Sequence, residues 1–516
     1  MKKYILFTVF ISGMTTLAAE LAAGRLIGNV FGTSNIVWTS IIGLILIYLT
    51  FGYFLGGKWA DANPTPYAMY RILAWAAFTL GLVPYIATPV LRSAASAFEF
   101  LQVGILGGSF FAVLVLFIVP ITLLGTISPF AIRLLVDDPS HAGQTSGQIY
   151  AISTLGSFIG TFLPTLVTIP AIGTTRTFLL FSLVLLSVAL AGLGKFANRN
   201  ELFKFMWMPI VILIIAFLAS DQALKKNSGQ IYETESAYNY IQVAEVNGFT
   251  ILRLNEGQGV HSIYHPTTLQ YDGPWDQFLA SPYFYADKKP ADVKRVAIIG
   301  LAAGTTARQM TAVYGDIPID GYELDPKIVE VGQKYFGMTI PNLNIIIGDG
   351  RLNLERSDHN YDIIAVDAYR PPYIPPHMTT REFFEICASH LTDDGVLTIN
   401  SASVPGDRRL INGLATTMAT VFPSIYTVDI PGSLNTMIFA TKQETRAEDF
   451  TANLVALSSD PNVDPLLIHT MQVTFSKLQS GYETTTVFTD DHAPIEWIVN
   501  DMVIRFILGG GTEYLQ

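Results

Sequence analysis

Two different apolar patterns divide this chain. From the first residues to about position 220, long apolar stretches recur, whereas beyond position 230 the apolar runs are short and end in glycine or acidic residues. Stretches of roughly 20 apolar residues are typical of helices that cross a bilayer. Short apolar runs that alternate with helical patterns are typical of βαβ units and a parallel sheet. The pattern therefore predicts a multi-span α-helical membrane domain followed by an α/β domain.

The first half is expected to cross a lipid bilayer about seven times. The predicted spans lie near Tyr4–Ala23, Ile36–Gly57, Ala68–Leu91, Leu101–Ile127, Gln148–Ile172, Thr177–Gly194 and Phe205–Ser220. The first span follows two lysines and resembles a signal peptide, but it has no clear cleavage site and further spans follow it, so we expect it to be retained. This predicts an integral, multi-pass protein of a bacterial type of inner membrane.

Two indications of sidedness disagree. Lys and Arg are more frequent in the loops on the N-terminal side of the spans, which favours an N-terminus in the cytoplasm. Seven spans would then place the second half of the chain outside the cytoplasm. A nucleotide-type cofactor argues for the cytoplasm instead, and we expect the second half to lie there.

Composition and charge agree with this division. The 516 residues have a mean hydropathy of +0.39 and only 14% charged residues, too apolar for an ordinary soluble protein. Residues 1–224 carry a net charge of +4 and residues 225–516 a net charge of −15. The acidic second half argues against nucleic acid as a partner and suits a cationic substrate. The single cysteine, Cys387, excludes an intramolecular disulfide and any multi-cysteine metal site, and no metal is expected.

Three domains are predicted. Residues 1–224 form the transmembrane domain, residues 225–290 a linker with a small β subdomain, and residues 291–516 a Rossmann-like domain of the methyltransferase type. The β subdomain is predicted from the alternating runs Tyr240–Val246 and Phe249–Leu254, because the Asn-Gly pair between them is a strong hairpin signal.

The first βα turn and the end of the second strand carry candidate chemistry. The run Val296–Ile299 leads into Gly300-Leu-Ala-Ala-Gly304, a small-residue turn that lets a ligand approach the backbone. Alone this is a weak signal, since many α/β turns are glycine-rich for packing. Glu323 ends the second strand about 20 residues later, where an acid accepts hydrogen bonds from ribose hydroxyls.

The third and fourth strands also end in acids. Gly348-Asp349-Gly350 follows the third strand, and an acid there can accept from an exocyclic amine such as that of adenine. Asp367 follows the fourth strand and is expected to face the reactive end of a ligand. Three such acids in order after a glycine-rich turn point to an adenosine with a cationic sulfonium, such as S-adenosylmethionine or its decarboxylated form.

At this point the chain resembles a known family. Residues from about 231 to 435 are similar to the spermidine synthases, the aminopropyltransferases, and the whole chain resembles their membrane-fused branch. The motifs that carry the resemblance are ETESAYNYIQV, LRLNEGQGVHSIYHP, WDQFLASP, YELDP, IGDGR, YDIIAVDAY and TDDHAPIEW. They are specific for the superfamily and less specific for the reaction.

The resemblance implies roles by position. Glu323 would bind the ribose and Asp349 the adenine amine, while Asp367 would be the catalytic acid that helps to deprotonate the attacking amine. Asn239 falls at a cofactor-contacting position, and Trp275-Asp276 fall beside the amine substrate. The implied co-substrate is decarboxylated S-adenosylmethionine, and the implied partner is a small-molecule amine. A homodimer is left open.

Two positions depart from the family pattern. The family has an acid within the glycine-rich turn, whereas this chain has Ala302-Ala303. The family has a second acid three residues after the catalytic one, whereas this chain has Arg370, next to Tyr369, at the predicted substrate site.

The departures concern the groups that hold amines, so alternatives stay open. The leading prediction is transfer of an aminopropyl group to a di- or polyamine. The alternatives are another S-adenosylmethionine-dependent transferase, such as a methyltransferase, and a non-catalytic sensor or transporter of polyamines or nucleosides.

Overall fold

A computed structural model of the chain describes residues 1–31, 35–100, 104–136, 138–197, 199–218, 229–255, 259–368 and 374–508. The chain forms two compact units. The first comprises Met1–Lys226 with Thr234–Tyr240, and the second comprises Asn227–Glu233 with Ile241–Gln516.

The first unit is built from helices. They are α1 (Lys2–Phe31), α2 (Asn35–Ala62), α3 (Pro66–Phe100), α4 (Gly104–Gly125), α5 (Ile127–Leu135), α6 (Ala142–Leu163), α7 (Ile169–Ile172), α8 (Thr174–Phe196), α9 (Arg199–Phe203) and α10 (Trp207–Leu218), with a π-helical turn at Pro164–Thr168. Within the described residues, seven helical stretches are long and apolar enough to cross a membrane. They start near the predicted spans, so the helices anticipated from the apolar pattern are present, while their placement in a bilayer stays a prediction.

Glycines allow α1 and α6 to pack with their backbones close together. A Cβ added to Gly156 would lie 2.0 Å from the carbonyl oxygen of Phe10, and one added to Gly160 would lie 2.1 Å from that of Met14. Small residues four apart on one helix face are the usual means of such close packing in lipid. Substituting either glycine would therefore force these two helices apart.

The segment that follows the last apolar helix is tied to one end of the helical unit. Glu235 Oε2 accepts hydrogen bonds from the backbone N–H of Thr174 (2.9 Å) and from its hydroxyl (2.7 Å). Arg25 donates to the carbonyl oxygens of Ser236 (2.6 Å) and Tyr238 (3.0 Å). Because Arg25 lies near the end of α1 that is distant from Lys2, this segment lies at the end of the helical unit opposite to its N-terminus.

A small antiparallel sheet precedes the α/β region. Its strands are β1 (Gln230–Glu235), β2 (Tyr240–Val246), β3 (Phe249–Leu254) and β4 (Val260–Tyr264), paired in that order. The hairpin predicted at Asn247-Gly248 is present, with φ of 51° and 85° at the two turn residues. Both values are positive, as a two-residue type I′ turn requires, and such a turn matches the twist of the strands.

The α/β region contains one large sheet. Its strands are β5 (Val296–Ile299), β6 (Ile319–Glu323), β7 (Leu343–Ile347), β8 (Tyr361–Val366), β9 (Leu391–Ala402), β10 (Ser424–Asp429), β11 (Asn435–Thr441) and β12 (Leu478–Gln479). Among the described residues their order is β12-β10-β11-β9-β8-β5-β6-β7. The five strands β9-β8-β5-β6-β7 are parallel, and β11, β10 and β12 extend the sheet in antiparallel pairs.

Helices surround this sheet. They are α11 (Pro274–Gln277), α12 (Thr305–Tyr314), α13 (Pro326–Tyr335), α14 (Gly350–Glu355), α15 (Arg381–Ser389), α16 (Arg409–Met418), α17 (Ala447–Ser458), α18 (Pro465–Lys477) and α19 (Ile495–Leu508). Alternate residues of β5 pack into two different apolar clusters. Val296 and Ile298 belong to one cluster, and Ala297 and Ile299 belong to the other. Buried on both sides, the parallel strands read as continuous apolar runs, which is why they were recognisable in the sequence. The strand order reverses between β6 and β8, beside the carboxyl end of β5, and such a switch point is where open α/β sheets bind ligands.

Candidate active site

The turn after β5 brings backbone close to the end of β8. Gly300, Ala302 and Gly304 have φ of 86°, 48° and 82°. A Cβ on Gly300 would lie 2.6 Å from the carbonyl carbon and oxygen of Asp367, so only glycine fits at this point. The turn and the strand-end acid are thus fixed against each other.

Every backbone N–H from Gly300 to Gly304 already has a partner. The N–H groups of Gly300 and Leu301 both donate to the carbonyl oxygen of Tyr322. Ala302 donates to Glu323 Oε2 (2.8 Å), Ala303 to Ser262 Oγ (2.9 Å) and Gly304 to the carbonyl oxygen of Leu301. The turn therefore keeps no spare donor for a phosphate or a carboxylate. The glycine-rich turn resembles an anion-binding loop in composition but not in hydrogen bonding.

Glu323 ends β6 and closes the turn from the other side. Its Oε2 accepts the N–H of Ala302, and its Oε1 accepts the N–H of Asp325 (3.0 Å). The side chain is buried, and this burial raises the pKa of the carboxyl group to about 7 although the backbone N–H groups lower it. Each carboxylate oxygen accepts one bond and has capacity for another, which is what a ribose diol would use.

Asp349 ends β7 and caps α14. Its Oδ1 accepts the N–H of Leu352 (2.9 Å), and its Oδ2 lies 3.0 Å from Nε2 of His377. A Cβ on the following Gly350 would lie 2.5 Å from Ile299 Cγ2, so that glycine is required for close packing against β5. The structure therefore gives Asp349 a capping role and an imidazole neighbour from a distant segment.

The C-terminal motif TDDHAPIEW also reaches the carboxyl edge of the parallel strands. Asp490 receives a two-pronged hydrogen bond from Arg351, with both N–O distances at 2.7 Å, and a third from the hydroxyl of Thr380 (2.7 Å). Paired bonds between a guanidinium and a carboxylate combine charge with fixed geometry. The motif that contains Asp490 is thus anchored directly beside Gly350.

Asp367 follows β8 and accepts a hydrogen bond from the first of two linked side-chain amides. Asn400 Nδ2 donates to Asp367 Oδ1 (2.8 Å), and Asn435 Nδ2 donates to Asn400 Oδ1 (3.0 Å). Burial raises the pKa of Asp367 to about 7, and the bond from Asn400 opposes that rise. In the part of the chain that the structure describes, Oδ2 of Asp367 accepts no hydrogen bond. It is a carboxylate oxygen held in place with its acceptor capacity unused.

Asp276 lies in a different and fully bonded environment. Its Oδ2 accepts the backbone N–H groups of Tyr271 (3.1 Å) and Asp272 (2.8 Å), and its Oδ1 accepts from Gln309 Nε2. It is 1% exposed, and burial raises its pKa to about 6. The neighbouring Trp275 is also buried, with its ring against Gly273. These contacts give Asp276 a local structural role, and the predicted role of Trp275-Asp276 at the amine stays a prediction.

Asn239, Tyr369 and Arg370 are the remaining predicted residues. Asn239 belongs to the first compact unit. The N–H of Ser236 donates to the carbonyl oxygen of Asn239 (2.8 Å), and the N–H of Asn239 donates to Ser236 Oγ (2.8 Å). Tyr369 and Arg370 lie outside the described residues.

Sequence reasoning assigned no role to Asn400, Asn435 or His377. Asn400 lies near the end of β9, after the mainly apolar run Val396–Ile399, and Asn435 starts β11. That pattern signals a buried polar contact but not its partner. Within the described residues, no group of three or more His, Cys, Asp or Glu side chains is placed to hold a metal ion.

The sheet order, the turn and the strand-end acids define an open α/β sheet with acids at the carboxyl edge of its parallel strands. Comparison with known sequences is more specific. The family described as "Spermine/spermidine synthase domain" matches residues 285–453. Residues 285–453 therefore match the spermine/spermidine synthase family, and the resemblance found in the motifs is confirmed for this region.

Two curated relatives cover much of the same region. A probable polyamine aminopropyl transferase of Bifidobacterium longum is 31% identical over 298 residues, which cover 55% of this chain and 66% of the relative. A polyamine aminopropyltransferase of Vibrio vulnificus is 29% identical over 236 residues, which cover 43% of this chain and 75% of the relative. Thus about a third of the first relative's length has no counterpart in the match.

Solved structures also resemble part of this chain. A probable spermidine synthase from Corynebacterium glutamicum matches 51% of this chain and 98% of its own chain, with 17% sequence identity and a TM-score of 0.38.

Proposed function

We propose that the α/β unit transfers an aminopropyl group from decarboxylated S-adenosylmethionine to a di- or polyamine. The observation that carries the proposal is the carboxyl edge of the parallel sheet, where Glu323, Asp349 and Asp367 end consecutive strands around a close-packed turn. The names of the curated relatives, all polyamine aminopropyltransferases, support this reaction class.

The hydrogen bonding of the turn favours the decarboxylated co-substrate. The five N–H groups from Gly300 to Gly304 are bonded within the protein, so this turn offers no donor to a carboxylate on the transferred chain. Glu323 would hold the ribose with its remaining lone pairs. Asp349 would accept the adenine amine in competition with His377, which already occupies one of its oxygens.

Asp367 would take the proton that the reaction releases. The lone pair of the acceptor amine forms a new C–N bond to the carbon beside the sulfonium, the C–S bond breaks, and methylthioadenosine leaves neutral. The nitrogen then carries one proton too many, and Oδ2 of Asp367 is the open acceptor for it. A pKa of about 7 suits a general base at neutral pH, because about half of the carboxyl groups are then ionised and the carboxylate is still basic.

We further propose that the helical unit is embedded in a lipid bilayer and that the α/β unit faces the cytoplasm, where adenosyl cofactors are made. Seven spans would then place Met1 outside, against the excess of Lys and Arg at that end. A fluorescent-protein fusion at the C-terminus is expected to fluoresce. An active alkaline phosphatase fusion at the same point would reverse this orientation.

The reaction is tested with the purified full-length protein in detergent. Decarboxylated S-adenosylmethionine and putrescine are expected to yield methylthioadenosine in equal amount to the new polyamine. Release of S-adenosylhomocysteine from the carboxylated cofactor would support a methyltransferase instead. Binding of polyamine or nucleoside without turnover, unchanged in Asp367→Asn, would support a sensor or transporter. Calorimetry with both cofactors adds an independent test, because preference for the carboxylated form would overturn the proposal.

A further inference from the structure

A groove of about 700 Å³ lies on the helical unit between α2, α5 and α6. Its lining on α2 extends from Thr50 to Asp61, which at 1.5 Å per residue spans roughly 16 Å. That length is about half of the ~30 Å hydrocarbon thickness of a bilayer. The groove therefore has the length of one lipid leaflet.

The walls of the groove are apolar and open outward. Phe54, Tyr53 and Tyr150 line it with 76%, 47% and 55% of their surfaces exposed. On its other side α2 packs closely against α4, because a Cβ on Gly52 would lie 2.4 Å from the carbonyl oxygen of Thr122. In a bilayer such an open apolar groove has to be filled by a hydrocarbon chain.

One end of the groove carries an ion pair. Arg133 Nε donates to Asp61 Oδ1 at 3.1 Å, and the side chains are 50% and 76% exposed. The described residues offer no further hydrogen bond to the terminal nitrogens of Arg133 or to Asp61 Oδ2. The groove thus ends in a positive and a negative group side by side, with unused donors on one and an unused acceptor on the other.

This charge arrangement selects among lipids. An anionic headgroup would meet Asp61 as well as Arg133, and a polyamine would meet Arg133 as well as Asp61. A headgroup with adjacent phosphate and primary ammonium groups complements both partners.

We propose that this groove binds phosphatidylethanolamine, with the phosphate on Arg133, the ammonium on Asp61 and an acyl chain along the wall formed by α2. The proposal concerns the helical unit and does not depend on the reaction proposed for the α/β unit. It does depend on the helical unit being in a membrane.

The test measures lipid retained by the full-length protein after detergent purification, by native mass spectrometry with added lipids of one chain composition. We expect phosphatidylethanolamine to be retained at least about fivefold more than phosphatidylglycerol or phosphatidylcholine, whose trimethylated head cannot donate to Asp61. The double variant Asp61→Asn with Arg133→Gln is expected to lose this preference. Because the pair is exposed, the variant should fold normally.

A matched control is the ion pair of the exposed Lys204 with the partly buried Glu201, whose Nζ and Oε1 are 2.7 Å apart and which does not line the groove. The variant Glu201→Gln with Lys204→Gln should keep the lipid preference. Equal retention of the three lipids, or full retention by the Asp61 and Arg133 variant, would overturn the proposal. Displacement of the lipid by spermidine would also overturn it, since the groove would then be an amine site.

Discussion

Two acids of the α/β unit, the buried Asp276 and the partly buried Asp367, differ in what surrounds them. Burial raises the pKa of both, to about 6 and about 7. Asp276 accepts three N–H groups, which leave its carboxylate well bonded, whereas Asp367 accepts one, from Asn400. A raised pKa is therefore common to a structural acid and to a candidate base. The unused oxygen, at the switch point of the sheet, is what separates them.

The largest effect is expected from Asp367→Asn. The amide has nearly the same shape but cannot accept a proton, so aminopropyl transfer should fall by roughly 10³-fold, within the range of general-base catalysis. Methylthioadenosine release measures the change. Asp362→Asn is the matched control, since Asp362 lies near the opposite end of β8 and bonds the backbone N–H groups of Lys294 and Arg295. A variant Asp367→Asn with more than a tenth of normal activity would remove the distinction drawn between the two acids.

The second-largest effect is expected from Glu323→Gln, and it concerns affinity for the cofactor. Glu323→Gln places an amide where the carboxylate accepts from the turn and from Asp325, and it removes the charge that a ribose diol would meet. A hydrogen bond to a charged group contributes about 1.5–3 kcal/mol, so affinity for decarboxylated S-adenosylmethionine should fall by about ten- to a hundredfold. Calorimetry gives the value, and the exposed Glu330→Gln on α13 is the control. Unchanged affinity would show that Glu323 only braces the turn.

Local sequence patterns could predict part of this site and not the rest. The strand ends at Glu323 and Asp367 follow from apolar runs that are read residue by residue, and the hairpin follows from Asn247-Gly248. The partners of the acids are distant in sequence, as with Asn400 for Asp367 and Gln309 for Asp276. No local pattern shows whether a buried carboxylate has one donor or three. The role of Asp276 beside the amine substrate was predicted from its position in the sequence alone, and it stays a prediction.

A third experiment tests the amide chain behind Asp367. Asn400→Leu removes the donor that lowers the pKa of Asp367, so this pKa should rise further above its usual range. Because the base must be deprotonated, the rise of activity with pH should move to higher pH. Activity at pH 7 should drop by about tenfold and recover in more alkaline buffer. Asn435→Ala, which frees Asn400 without removing it, should cause a smaller shift in the same direction. A uniform loss at every pH would indicate damage to the site rather than a shifted pKa.

The smallest effect on activity is expected at Asp276, and it should appear as stability instead. The folded-state pKa of this acid is about 6, above its value in the unfolded chain, so the folded state binds its proton more tightly. Ionisation therefore destabilises the fold as pH rises from about 4 to 6, by on the order of 2 kcal/mol once complete. Asp276→Asn lacks this charge, so its stability relative to the wild type should increase over that pH range and then stay level. Thermal unfolding of the full-length protein between pH 4.5 and 8 measures the difference, while the KM for the amine should change less than about threefold. A large rise in KM with no pH-dependent gain in stability would place Asp276 with Asp367 at the substrate, and the contrast between the two acids would fail.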